Sequence, residues 1–475
     1  MTAHFANSIP TRLLMWQRVR EYAVPLSMIE TATARRAAGD WAGACAAARI
    51  DVDLDLRAVR HRYGSSFVTS LRGDLRRLAP DLLRWHMPRI APDGRLRPGL
   101  TVALARYAGA QLVVRTPPAW ADAGQRMTLG LWEESGGGDG GTGHHPHPHP
   151  HPDRRFRLDL HRHLWDAGRS GELARRCVAV GVGERGVDLD SSWAVGGWAA
   201  EAELLLRAEG RSRGAFAVRL GTRERAVLEL VAPDDSHVPS FRPLLEALPP
   251  QEVAALPVLP DAAARTLPDL ELIRGGLVKV DELHPLVADA LRACGVEGRP
   301  DSGAMPDSTV VTSDPHRVEC RGEVHRIALR DGVLTAVDHD PAQLHREELL
   351  VALGGPPLPC LRAIDSVHRN PEALPAVRER LRHGDVVGAL AVVEGLLGSA
   401  AVLRDGPLRE ELETAAVRRI EQGLFRSGLV PVHPGADCAE GQGATSRRPR
   451  LDRRVPPVLR SKRSSRARPR SGQFA

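Results

Sequence analysis

Apolar residues along positions 11–88 recur at the spacing of amphipathic helices, and turn residues divide this segment into several of them. Ser27 and Glu30 have the spacing of a capping box, in which each side chain binds a backbone N–H group at the start of a helix. Gly39 and Asp40 follow, and glycine is common just after a helix whereas aspartate is common just before one. The pattern therefore predicts a helical hairpin. Its junction reads "GDWAGA".

The same junction occurs once more, as "GDVVGA" from Gly384 onwards, and it predicts a second helical hairpin near the other end of the chain. A helical solenoid would repeat such a unit three or more times at a fixed period. We therefore interpret the two junctions as independent hairpins.

Between about residues 98 and 165 the hydrophobic period changes to two, in the runs "LTVALARY", "QLVVRTP", "RMTLGLWE" and "RFRLDLHRH". Alternation of this kind predicts an antiparallel meander of four strands. Beyond it the pattern mixes helical and alternating runs, and "GAFAVRLGTRERAVLELVA" predicts a further hairpin. The chain is thus expected to be an α+β protein with several domains.

The expected domains follow these changes of period. They are a helical domain at 1–92, an antiparallel meander at 93–165 with a His-Pro loop at 136–152, a mixed α+β region at 166–300, a three-stranded meander followed by helices at 301–430, and a disordered basic tail at 431–475.

The formal net charge of +6 is concentrated in that tail, where residues 446–475 carry many Arg and Lys side chains against the single acid Asp452. A basic tail can bind nucleic acid by neutralising phosphates. Phe474 is its only aromatic residue, so base stacking is not expected. The six cysteines are scattered, and neither a signal peptide nor an apolar run of membrane-spanning length is recognisable. We expect a cytoplasmic protein with reduced thiols, no membrane contact and no cofactor.

Several short motifs of known enzymes occur without the context that they need. "GVGERG" at 181–186 precedes an alternating run rather than a helix, and "GRSRG" at 210–214 follows a helix instead of a strand. Asp51, Asp53 and Asp55 have calcium-loop spacing but lack the glycine and the final glutamate. No phosphate-binding loop of the Walker type is present. These patterns favour a protein without catalytic activity.

The His-Pro tract offers His145, His147, His149 and His151 as weak metal ligands. Alternating proline favours the polyproline II helix, with three residues per turn. Neighbouring histidines then point in different directions, so an exposed loop without a preformed site is expected.

The stretch "VECRGEVHRIALRDGVLTAVDHD" at 318–340 predicts three strands joined by two tight turns. With turns at "GE" and "DG", Cys320 lies opposite His325, and His325 lies opposite Asp338. A thiol, an imidazole and a carboxylate in one row match the chemistry of an activated nucleophile. The alternative is a buried polar row, in which cysteine acts as a small apolar residue and the His–Asp pair satisfies its own hydrogen bonds.

A metal ion on the same row would need further ligands, for which His316 and His339 are the available side chains.

Four longer phrases, "TATARRAAGDWAGACAAA", "LAPDLLRWHMPR", "VECRGEVHRIALRDGVLTAVDHD" and "LVALGGPPLPCLRAID", resemble segments of an actinobacterial protein family without an established activity. The resemblance implies gene neighbours that encode MoxR-type AAA ATPases and von Willebrand A-domain proteins. We therefore expect a non-catalytic interaction protein, an accessory of an ATPase complex. The alternatives are a cysteine- or metal-dependent hydrolase that uses Cys320, His325 and Asp338, and a nucleic-acid-associated protein that binds through its tail.

Overall fold

The computed structural model describes residues 9–121, 123–133, 147, 151–178, 192–222, 224–231, 238–244, 248–296, 317–320, 323–330, 333–353, 358–362, 374–397 and 406–427. The chain divides into two compact units: unit 1 contains the described residues up to 296 together with 424–427, and unit 2 contains those from 317 to 423. Helices are joined with several small, mostly antiparallel sheets, which confirms the predicted α+β fold.

The helices of unit 1 are short except for the fourth. They are α1 (Thr11–Tyr22), α2 (Leu26–Ala37), α3 (Trp41–Ala47), α4 (Leu56–Arg77), α5 (Pro80–His86), α6 (Glu172–Val178), α7 (Trp198–Ala208), α8 (Pro250–Ala255), α9 (Asp261–Ala264), α10 (Pro268–Arg274) and α11 (Pro285–Ala293).

Of the two helix caps predicted in the first hairpin, the one that begins α3 is confirmed and the one that begins α2 is wrong. Asp40 begins α3 by accepting a hydrogen bond from the backbone N–H of Gly43 at 2.8 Å, as predicted. The capping box at Ser27 is wrong, because α2 begins one residue earlier, at Leu26. Pro25 precedes that helix with the fixed φ of proline, and its carbonyl oxygen accepts the first helical hydrogen bond from Met28 N at 2.9 Å.

Unit 1 contains β1 (Ile50–Asp53), β2 (Arg89–Ile90), β3 (Arg95–Leu96), β4 (Thr101–Tyr107), β5 (Ala110–Arg115), β6 (Met127–Glu133), β7 (Gly214–Arg219), β8 (Arg225–Val231) and β9 (Ser240–Pro243). The largest sheet has the order β1-β6-β5-β4. Its last three strands form the predicted antiparallel meander, whereas β1 joins β6 in parallel.

The prediction of a fourth meander strand at residues 155–163 is wrong. This segment forms consecutive turns and touches β4 through one bridge, between Arg157 and Ala103. Its backbone N–H groups bind carbonyls three residues back, as in Leu160 to Arg157 and His161 to Leu158. Because these donors are used locally, they are not available for a strand ladder.

One hydrophobic core draws buried side chains from helices and strands between Val19 and Leu291, with Trp85 and Trp165 fully enclosed. A second core of unit 1 surrounds Trp198 and Phe216 under the sheet β7-β8-β9. The predicted hairpin is confirmed there, because β7 and β8 pair antiparallel. "GRSRG" lies between α7 and β7, so it has no strand before it, as the sequence predicted.

Unit 2 contains β10 (Arg317–Cys320), β11 (Glu323–Arg330), β12 (Val333–Ala336), α12 (Pro341–Ala352), α13 (Leu374–Arg382) and α14 (Val386–Leu397), and α15 (Pro407–Arg426) begins in it. The second predicted hairpin is confirmed. Gly384 has a φ of +81°, and Asp385 accepts a hydrogen bond from Gly388 N at 3.1 Å.

Some predictions concern residues outside the part of the chain that the structure describes. These are "GVGERG" at 181–186, most of the His-Pro loop, His316 and the basic tail at 431–475. Among the described helices, none combines the length and the apolar character that a membrane crossing requires.

Candidate metal centre

The three-stranded sheet of unit 2 has one predicted and one unexpected register. β11 and β12 pair as predicted, with Ile327 opposite Ala336. Between β10 and β11 the predicted register is wrong by two residues, because Cys320 lies opposite Glu323 rather than His325. Glu323 thus belongs to the strand and not to the turn. A shift of two residues preserves the face of each side chain, so Cys320 and His325 still share one side of the sheet.

The predicted row of Cys320, His325 and Asp338 does not form, because the carboxylate has another partner. Asp338 accepts hydrogen bonds from the backbone N–H of Arg326 at 2.7 Å and from its guanidinium at 3.0 Å. These side-chain and backbone hydrogen bonds lower the pKa of Asp338 to about 2. The predicted hydrogen bond between His325 and Asp338 is therefore replaced by the contacts of Asp338 with Arg326.

A different group of side chains meets beside the sheet: Cys320, His339 and Cys360. The distance from His339 Nε2 to Cys360 Sγ is 3.0 Å, and the two Sγ atoms are 3.4 Å apart. One ligand atom from each residue lies within 4.8 Å of the others. Cys320 is 1% exposed, Cys360 is 0% exposed and His339 is 9% exposed, so the cluster is almost closed to water.

Three separate elements bring these side chains together. Cys320 ends β10, and His339 lies between β12 and the N-cap of α12, where Asp340 accepts a hydrogen bond from Ala342 N at 3.3 Å. Cys360 lies in the helical turn 359–362. Apolar side chains enclose both sulfur atoms; they belong to Val318, Ala336, Leu344, Leu358 and Leu361.

A second histidine, His325, packs against His339 of the cluster. The His325 ring stacks on the His339 ring with centroids 4.0 Å apart and planes 9° apart. Its Nδ1 atom is buried and has no hydrogen-bond partner among the described residues. Unsatisfied buried nitrogen atoms are uncommon in folded proteins. His325 is therefore the nearest candidate for a fourth ligand.

Two sulfur atoms and one imidazole nitrogen are the donor set that Zn²⁺ prefers. In a tetrahedral zinc site, with bonds of about 2.3 Å to sulfur and 2.0–2.1 Å to nitrogen, neighbouring ligand atoms are about 3.5–3.8 Å apart. The His339–Cys360 and Cys320–Cys360 separations are slightly shorter, so these side chains would move apart by a few tenths of an ångström to hold the ion. The residues present therefore fit a zinc ion.

The thiol of Cys360 is a poor nucleophile in the absence of a cation. Burial, followed by the neighbouring Cys320 thiol, raises the pKa of Cys360 above its ordinary value. A protonated thiol reacts slowly, whereas a bound cation replaces the proton and stabilises the thiolate as a ligand.

We expect Cys360 of the metal-free protein to react slowly with iodoacetamide at neutral pH, because its raised pKa keeps the thiol protonated and its sulfur is shielded. The rate should rise with pH toward the raised pKa. Mass spectrometry of the labelled peptide, with free glutathione as the reference thiol, measures this rate. Labelling of Cys360 faster than glutathione at pH 7 would contradict the assignment and favour an activated nucleophile.

The two described histidines of the His-Pro tract, His147 and His151, contact different residues. His147 is 6% exposed, and its Nε2 atom lies 2.9 Å from the carbonyl oxygen of Thr116. The expectation of a wholly exposed loop is therefore wrong for His147. His151 is exposed and its ring lies edge-on to Trp132, with centroids 5.8 Å apart. His145 and His149 lie outside the described residues.

The sequence pointed to two of the three cluster residues and missed the third. Cys320 was a candidate from the start, and His339 was named as a further ligand. Cys360 stands 40 residues after Cys320, and no C-x-x-C spacing connects them. Its only local signal is the apolar, proline-rich phrase "GGPPLPCL", which is typical of a buried turn and not of a metal ligand.

Comparison with protein-family models, with curated proteins and with solved structures finds no match to this chain.

Proposed function

We propose that this chain is a non-catalytic interaction protein in which unit 2 is a zinc-binding module. The observation that carries the proposal is the convergence of Cys320, His339 and Cys360, whose ligand atoms lie within 4.8 Å of one another. Buried sulfur and imidazole donors of this kind bind zinc in preference to Mg²⁺ or Ca²⁺, which favour oxygen ligands.

The burial of the cluster favours a structural metal over a catalytic one. Catalytic zinc sites keep one coordination position open to water and substrate. Here both sulfur atoms belong to side chains that are at most 1% exposed, and apolar residues surround them. Asp338, the expected acid–base partner, is bound to Arg326.

The link between the metal site and partner binding is helix α12. His339 immediately precedes the capping residue Asp340, so a bound ion would fix the point where this helix begins. Farther along, Leu349 and Leu350 of α12 and the following Leu353 are 52%, 49% and 88% exposed. Exposed apolar side chains that lie close together are typical of protein-binding surfaces. We propose a protein partner for this helix, and an ATPase complex, as the sequence resemblance implies, is the first candidate.

The purified full-length chain is expected to contain about one zinc ion per molecule. Replacement of Cys360 by Ala should remove that ion, because it deletes one of three ligands. The metal content can be measured by inductively coupled plasma mass spectrometry after gel filtration.

Cys45→Ala provides the matched control, since Cys45 is also 0% exposed but belongs to the core of unit 1. This variant should retain the zinc. The proposal fails if the wild-type chain, supplied with zinc and then desalted, retains none, or if Cys360→Ala retains as much as the wild type.

A further inference from the structure

Unit 1 contains a cavity of about 170 Å³ that the zinc site does not involve. Its walls are mostly apolar and include Trp16, Phe156, Leu158 and Leu270, while the exposed Ala262 lies at its rim. For comparison, an engineered protein cavity of roughly 150 Å³ binds benzene. The cavity is therefore large enough for a ligand of ring size.

Six arginines also line this cavity, and three of them, Arg12, Arg20 and Arg176, form ion pairs with acids of the fold. The guanidinium of Arg20 donates to both carboxylate oxygens of Asp269, at 2.8 and 2.9 Å. Arg176 pairs with Glu201 at 2.8 Å. These contacts satisfy the charges that they involve, so neither arginine requires a ligand.

Arg97 differs from these three arginines. Its side chain lines the cavity and the residue is only 4% exposed, and its Nε atom is buried without a hydrogen-bond partner among the described residues. The carboxylates of Asp153 and Asp261 attract its charge, but neither is bound to it by a hydrogen bond among the described contacts. The ring of Phe156 lies 5.8 Å away. Burial lowers the pKa of Arg97 to about 10, so the group remains charged at neutral pH. A buried charge without a hydrogen-bonded counterion is costly unless a further group compensates it.

Arg89 adds to the positive character of the same wall. It is 2% exposed and donates to two backbone carbonyls, those of Arg84 at 2.6 Å and Gly94 at 3.4 Å, rather than to a carboxylate. The Nε atom of Arg89 is buried without a partner. The cavity therefore has two guanidinium groups whose charge is not balanced by a paired acid.

We propose that this cavity binds a small monocarboxylate with an apolar, ring-sized body, whose carboxylate pairs with Arg97. A guanidinium donates two parallel hydrogen bonds to a carboxylate, which suits the planar geometry of both groups. Asp261 and Glu201 also line the wall, and their carboxylates would repel a dianion such as phosphate more strongly than a monoanion. The apolar side chains contact the body of the ligand.

Benzoate is a suitable probe and benzamide is its uncharged counterpart of the same shape. Trp16 lines the cavity, so binding should change the tryptophan emission of the full-length chain. Titration with benzoate should saturate. Benzamide lacks the charge that pairs with Arg97, so its affinity should be lower than that of benzoate by a factor of about ten or more. Equal binding of both compounds, or no saturable benzoate binding, would overturn the proposal.

Arg97→Met retains the aliphatic volume and removes the charge, so it should weaken benzoate binding about tenfold or more while leaving the thermal midpoint of the free protein unchanged or higher. Arg72→Met, at an exposed site of α4, is the matched control and should bind benzoate as the wild type does.

Ala194→Leu places a larger side chain in the wall of the cavity and leaves Arg97 in the sequence, so it should weaken the binding of benzoate and benzamide alike. Unaltered benzoate binding by folded Arg97→Met would refute the assignment.

Discussion

Removal of zinc from the Cys320–His339–Cys360 cluster is expected to unfold unit 2 and to leave unit 1 folded. The apparent binding free energy of a structural zinc ion is of order 10 kcal/mol, which is comparable with the whole stability of a small domain. Among the described residues, the core around these sulfur atoms contains four buried residues, namely Cys320, Ala336, Leu358 and Cys360, and the second core of unit 2 contains seven, from Ile327 to Leu408. Cores of this size supply little stabilisation without the ion.

The tryptophans allow the two units to be followed separately. All eight lie between Trp16 and Trp198, and therefore in unit 1. A strong chelator should lower the far-UV circular dichroism signal of the helices of unit 2, while the tryptophan emission stays at its native maximum. Added Zn²⁺ should restore the signal, whereas added Mg²⁺ should not.

Cys45→Ala should respond to the chelator as the wild type does, and Cys360→Ala should resemble the chelated protein before any chelator is added. If chelation leaves the far-UV signal and the melting curve of the zinc-loaded protein unchanged, the ion does not stabilise unit 2.

Replacement of Asp269 by Ala is expected to destabilise unit 1 by about 3–5 kcal/mol, the usual cost of removing one partner of a buried ion pair. Asp269 is 0% exposed and accepts hydrogen bonds from the Arg20 guanidinium at 2.8 and 2.9 Å and from Trp85 Nε1 at 3.2 Å. Without the Asp269 carboxylate, the indole N–H of Trp85 loses its acceptor and, among the described residues, the Arg20 guanidinium retains only the backbone carbonyl of Trp85. Urea denaturation followed by tryptophan emission measures the change.

An exposed pair of the same unit provides the control. The Asp289 Oδ1 atom lies 3.1 Å from the Arg292 Nη1 atom, and the two side chains are 73% and 49% exposed, respectively. Asp289→Ala should therefore change the stability by less than about 1 kcal/mol. Similar losses for Asp269→Ala and Asp289→Ala would show that the Arg20–Asp269 pair contributes no more than a surface contact.

Local patterns predicted the elements whose stability depends on neighbouring residues in the chain. Asp40 and Asp385 cap helices with their own side chains, and each hydrogen bond spans three residues. The hairpin of β7 and β8 follows from alternation and a short turn. Such interactions need no distant partner, so the sequence around them is sufficient.

The errors arose where a distant segment competed with the local pattern. Residues 155–163 alternate like a strand, but β6 pairs instead with β1, a segment more than seventy positions earlier, and residues 155–163 turn back on themselves. The alternating pattern likewise allows a hydrogen bond between Asp338 and His325. In the structure, Asp338 instead accepts hydrogen bonds from the backbone N–H and the guanidinium of Arg326. Charge-assisted hydrogen bonds of this kind outweigh a neutral contact with imidazole.

The sequence by itself determined the α+β class, the two helical hairpins, the β4-β5-β6 meander and the candidacy of Cys320 and His339. Only the tertiary structure decided that Cys360 joins them, and that Arg97 is buried beside a cavity with its Nε atom unbonded among the described residues. The physical reason is the same in both cases. Periodicity records which face of an element is buried, whereas the identity of the group opposite it depends on loop closure between segments far apart in the chain, which local residues do not encode.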